Sequence, residues 1–192
     1  MTRVLGVDPS FTSTGWALFE VSPSGSETLL DVGVIKTGKE AKRLGMTVTD
    51  DRLRRASEIV AALDTLIGKR NVRAVFAEVP MGTQSAVAAT GLGIVTGILS
   101  AVHYFRRTVQ FQWLTPHQVK KGLTGSARAS KEEMQAVALS RYGSLSEMGH
   151  WTGSQREHIA DAIGAVVAGI DTNVYRSLIG TIYKAEVLED LS

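Results

Sequence analysis

A chain of 192 residues, 44% of them hydrophobic, is long enough to fold as one domain with a sizeable core, and no second block of composition sets off another. The absence of cysteine excludes disulfides and thiolate metal sites, leaves carboxylates, histidines and hydroxyls as site-building groups, and suits a reducing cytoplasm. A net charge of +2 is a weak pointer to nucleic acid, but the charge is unevenly placed: from Val79 to Lys131 there is no Asp or Glu, while Arg106, Arg107, Lys120, Lys121, Arg128 and Lys131 fall in that span.

The opening "MTRVLGVDPS" lacks the apolar stretch and small-residue cleavage site of a secretory signal, so the chain is expected to be unprocessed. "RVLGVD", "STGWALFEV" and "LLDVGVIKT" are rich in β-formers and separated by Pro, Ser and Gly, which predicts three strands in an antiparallel meander. "DDRLRRASEIVAALDTLIGK", Asp50–Lys69, has helical periodicity, with Leu53, Ile59, Ala62, Leu63 and Leu66 on one side and Arg52, Arg55, Glu58 and Asp64 on the other. "VRAVFAEVP" reads as a buried strand ending in Glu78. The uncharged run from Val79 to Phe105 is long enough to cross a bilayer, but its Gly, Ala, Thr and Ser content fits a buried helix of a core or subunit interface better. "TVQFQWLTP" adds a strand. Helices follow around "PHQVKKGL", "SKEEMQAVALSRYG" and "REHIADAIGAVVAGI", with a helical tail from about Asp171 to Ser192. This order predicts a single α/β domain over 1–192, built on a mixed five-stranded sheet flanked by helices.

Asp8 ends the first strand and Glu78 the fourth. If those strands are neighbours, both carboxylates emerge at one sheet edge, within reach of a common ion. His158 and Asp161, three residues apart, share a helix face among Ile159, Ala162, Ile163 and Val166. Three carboxylates and an imidazole are hard ligands suited to Mg²⁺ or Mn²⁺. Such a site can hold two ions about 4 Å apart, one activating water and one stabilising the leaving oxygen of a phosphodiester. Each residue alone has an ordinary reading: an Asp before Pro forms turns, and a helical His and Asp make a local surface pair. What favours a site is coincidence, because two acids stand where apolar strands stop and a third sits among Ala and Ile.

"GVDPSFTSTGW" resembles the opening of the RuvC-type Holliday-junction resolvases, in which a catalytic Asp at a strand end precedes Pro, a small residue and a "TG" turn. "AEVP" resembles the family's second acidic position and "EHIADAIGA" its closing helix. "PHQVKKGLTGSARASKEEM" resembles its "P-x-x-V-K-x-x-x-x-G … K" segment, with Lys120 and Lys131 as the two lysines. The likeness runs from residue 4 to about 170 with the motifs in order. It implies a ribonuclease H-like fold and a Mg²⁺-dependent endonuclease, with Mn²⁺ able to substitute and two ions in the reacting complex, that resolves DNA four-way junctions by paired nicks. Asp8, Glu78 and Asp161 are then metal ligands, and His158 is a ligand or proton-transfer group. Lys120 and Lys131 are implied as phosphate contacts, with Lys121 and Arg128 beside them on the DNA. A junction of two-fold symmetry implies a homodimer, and Ala86, Ala89, Gly93 and Gly97 offer a face for close subunit approach. No membrane partner is expected.

Two departures qualify the likeness. Where bacterial members place a Phe that stacks on an unpaired base, this chain has Met81, in a "P-x-G-S/T-Q-S-A" setting with the flavour of phage-type relatives. The tail beyond Asp171 also exceeds the family's usual closing helix, and its Val174, Leu178, Ile179, Ile182 and Tyr183 are expected to cover the core or a dimer. Two further motifs are decoys. "GVIKTGKE" ends in Glu where a phosphate-binding loop needs Ser or Thr, and "GLGIVTG" has its third glycine one place late. The competing functions are a ribonuclease H-like nuclease for flaps, branched DNA or RNA–DNA hybrids, and a junction-binding module without catalysis.

Overall fold

The computed structural model describes residues 1–79, 85–143 and 151–189. Strands β1 (Thr2–Asp8), β2 (Ser13–Val21) and β3 (Glu27–Lys36) form the expected antiparallel meander. A short α1 (Ala41–Leu44) leads into α2 (Val48–Lys69), followed by β4 (Ala74–Glu78), α3 (Ala86–Phe105) and β5 (Gln110–Leu114). The chain continues through α4 (Pro116–Thr124), α5 (Lys131–Tyr142), α6 (Gly153–Ile170) and α7 (Asn173–Glu189). The sheet order is β3-β2-β1-β4-β5, with β4 parallel to both β1 and β5.

Both faces of the sheet are covered, which is why the central strands read as near-continuous apolar runs. On one face Val4, Phe19, Phe76 and Leu114 pack with Ile159, Ile163 and Val166 of α6, joined by Val119 of α4 and Met134 of α5. On the other, Leu5, Val7, Leu18 and Val75 pack on Ile59 and Leu63 of α2 and on Ile98, Leu99 and Val102 of α3. Alternation along β1 sends Val4 to α6, and Leu5 and Val7 to the opposite layer.

Helix α6 lies against β1 and β2 closely enough to touch their backbones. A Cβ on Gly6 would stand 1.9 Å from the Ala162 carbonyl oxygen, and one on Gly15 would stand 2.3 Å from that of His158. The glycine of "STG" is therefore not a turn residue: it lies inside β2, opposite Asp8, and admits the helix that carries the third acid.

The face of α2 differs from the sequence expectation. Its buried stripe is Asp51, Arg55, Ile59, Leu63 and Ile67, whereas Leu53 is 68% exposed. Arg55, expected at the surface, is buried because local partners replace its water. Its Nε donates to Thr37 Oγ1 (3.0 Å), its Nη2 donates to the Phe11 carbonyl (2.8 Å), and its guanidinium lies 4.1 Å from the Phe11 ring centroid. The tail is helical as expected, and Leu178 and Ile179 pack on the α6-side core, but Val174 is exposed. Tyr175 goes inward instead, edge-on to Phe76. Ile182 and Tyr183 lie outside the described side chains. No helix among the described residues is long and apolar enough to cross a membrane.

Candidate active site

The parallel pairing of β1 with β4 sets Val7 opposite Ala77, so Asp8 and Glu78, each the last residue of its strand, leave the sheet at the same edge. The close packing allowed by Gly6 and Gly15 brings α6 across that edge. His158 Nδ1 then stands 2.5 Å from Asp8 Oδ2, a contact in which the ring N–H donates to the carboxylate. Both side chains are partly buried.

The electrostatics place the other two acids in the same cluster. Burial, then repulsion from Asp8 and Asp161, pushes the Glu78 carboxyl up to about 8, with Lys120 pulling the other way. Burial, then Asp8 and Glu157, pushes Asp161 up to about 7, against His158 and Lys120. His158 is held above the ordinary histidine value chiefly by its hydrogen bond to Asp8, working against its burial. Where water is scarce and positive charge is short, the charge of Asp8 adds to the cost of ionising both Glu78 and Asp161.

That donor set fits a hard divalent cation: three oxygen donors, no sulfur, one imidazole, and a local deficit of positive charge. As the side chains stand, no three or more His, Cys, Asp or Glu groups among the described residues are gathered closely enough to hold a metal ion, and Asp8 is engaged by His158. Asp8, Glu78 and Asp161 are the residues that would hold it.

The basic residues divide. Lys120, on α4, pulls the pKa of both Glu78 and Asp161 downward. Lys131, at the start of α5, is ion-paired to Glu157 on α6. Lys121 and Arg128 are exposed, the first on α4 and the second in the α4–α5 loop. Arg106, of the acid-free span, is committed to Asp64 of α2 (2.6 Å) and packs α3 onto α2. The Met81 position lies outside the described residues. Glu157 escaped the sequence reading because its partner on α5 is remote in the chain; Gly6 and Gly15 carried a signal, since a glycine inside a strand marks close backbone approach.

A mixed sheet with carboxylates ending two adjacent parallel strands, crossed by a helix bearing a third, is a ribonuclease H-like arrangement. Residues 4–169 match the family model described as crossover junction endodeoxyribonuclease RuvC, and the chain belongs to that family. The crossover junction endodeoxyribonuclease RuvC of Synechocystis is 28% identical over 169 residues, covering 88% of this chain and 91% of its own. That of Anaplasma phagocytophilum is 31% identical over 173 residues, covering 87% and 93%. Among solved structures, T. thermophilus RuvC in complex with Holliday junction substrate aligns with a TM-score of 0.68 over 94% of this chain and 98% of its own, at 22% identity, a likeness of fold. Family membership makes the protein an endonuclease of DNA crossover junctions, and nucleases of this family are metal-dependent.

Proposed function

We propose that this chain resolves DNA four-way junctions by paired, symmetric phosphodiester hydrolysis with Mg²⁺, or Mn²⁺ in its place, two ions being held by Asp8, Glu78 and Asp161. The carrying observation is that Asp8 and Glu78 end neighbouring parallel strands at one sheet edge and Asp161 comes beside them from α6, where burial, then nearby carboxylate charge, pushes Glu78 up to about 8 and Asp161 up to about 7. Bound there, divalent ions supply the activation of water and the stabilisation of the leaving sugar oxygen.

The chain's own groups do the rest. Asp8 terminates the rigid central strand and fixes the site against the sheet. His158, hydrogen-bonded to Asp8 through Nδ1, is positioned to hold or release a proton at the site and would be a further ligand if it coordinated the ion instead. Lys120 stands beside the acids, where a scissile phosphate brings negative charge. Lys131, Lys121 and Arg128 are placed along α4, the following loop and α5 to neutralise the backbone on either side.

Two symmetric nicks call for two copies of the chain, and the exposed Ala86, Ala89, Gly93 and Gly97 of α3 support that helix as the meeting surface. We read 1–192 as one nuclease domain with α7 as its extension, at work in the cytoplasm. Asp8→Asn tests the metal assignment. Junction binding is retained while cleavage drops at least ~100-fold, more than is lost when a group only orients a ligand; loss of binding in proportion to cleavage would refute a catalytic role.

A further inference from the structure

Lys131 already has a partner within the chain. Its ammonium is engaged by the Glu157 carboxylate, in an ion pair that joins the first residue of α5 to the second turn of α6. Lys131 is 66% exposed and Glu157 26%, so the carboxylate is the better-held partner and the lysine is drawn to it. The pair also raises the Lys131 pKa, keeping the lysine charged. Glu157 stands one helical turn before Asp161 on α6 and its charge acts on both Asp161 and His158, so it adds a further negative charge to a face that must accept a phosphodiester.

We infer that Glu157 masks Lys131, acting as an internal stand-in for the phosphate which a bound DNA backbone must displace. The inference rests on the reading of Lys131 as a phosphate contact. When DNA arrives, the ion pair is exchanged for a lysine–phosphate contact, and Glu157 is left beside the backbone as an unneutralised carboxylate. That has two consequences. Affinity is lowered by the strength of the pair, and exposed pairs of this kind shift equilibria by up to about five-fold. The freed carboxylate also recruits a cation from solution, which cancels part of the counterion release that Lys131 drives.

The test is junction binding in EDTA across a salt series for the wild type, Glu157→Gln, Lys131→Gln and the double variant, with a thermal melt of each to confirm folding. Glu157→Gln is expected to tighten binding about two- to five-fold near 0.1 M salt and to steepen the slope of log K against log[salt] by up to ~0.9. In the Lys131→Gln background the same change is expected to have little effect. An equal gain with or without Lys131 would overturn masking, since Glu157 would then merely repel DNA through space. Unchanged binding in Glu157→Gln, with Lys131→Gln still weakening it, overturns the masking alone. Lys131→Gln binding as tightly as wild type overturns the phosphate contact itself.

Discussion

Replacing Glu78 with glutamine removes the carboxyl held at about 8 against an ordinary value of 4.5. A carboxyl whose folded pKa lies above its unfolded one opposes folding only where the unfolded chain can ionise it more readily. The penalty is thus absent below pH ~4.5, grows as pH rises, and is complete above pH 8. At about 1.4 kcal/mol per tenfold, the gap corresponds to at most about 5 kcal/mol at full ionisation. Burial is the largest cause of the shift and also disfavours the polar amide that takes the carboxylate's place, so roughly half of that, about 2–3 kcal/mol, is the gain expected from Glu78→Gln at pH 9. For a chain of this length that is roughly 5–10 °C in Tm. Melting metal-free protein in EDTA at pH 5 and pH 9 measures it: the variant matches wild type at pH 5 and melts well above it at pH 9. A variant that melts at or below wild type at pH 9 would show that Glu78 does not sit in a site starved of positive charge.

The same electrostatics make divalent ions compete with protons: at pH 7 Mg²⁺ binding releases about one to two protons, and its affinity rises between pH 6 and pH 8.5. Calorimetry in two buffers of different ionisation enthalpy reads this, and buffer-independent heats would refute it. Gly15→Ala forces a methyl group onto the His158 carbonyl and is expected to cost about 2–4 kcal/mol and most of the cleavage rate, whereas Gly38→Ala, with open space around it, leaves both unchanged. Equal stability of the two variants would mean that α6 is not held against β2 as described. Lys120→Ala lowers the salt slope of junction binding by about 0.9, and adding Lys131→Ala lowers it by up to as much again. A slope unmoved by the double change would remove both lysines from the backbone contacts.

Much of this architecture was legible because burial on both faces of the sheet writes the central strands as apolar runs, and the acids that end them stand out. Asp8 and Glu78 draw the eye by that contrast and Asp161 by its place among Ala and Ile, and β1 and β4 are parallel neighbours. What stayed hidden depends on partners far away in the chain. Arg55 looks like a solvated residue until Phe11 and Thr37 are folded over it. Leu53 looks like core until the α2 stripe turns it outward. Gly15 passes for a turn residue until α6 arrives, and the Lys131–Glu157 pair joins two helices whose mutual packing no periodicity encodes. Val174 and Tyr175 are adjacent and both apolar enough to bury; the ring of Phe76 decides between them.

The central claim, that these acids cut four-way junctions, is tested most directly with purified protein and end-labelled synthetic DNA in Mg²⁺ or EDTA. A mobile four-way junction is compared with a flap, a linear duplex and an RNA–DNA hybrid. Paired symmetric nicks on the junction alone, abolished by EDTA, are the predicted result. Preferential cutting of the flap or hybrid, or junction binding without any metal-dependent cleavage, would contradict it.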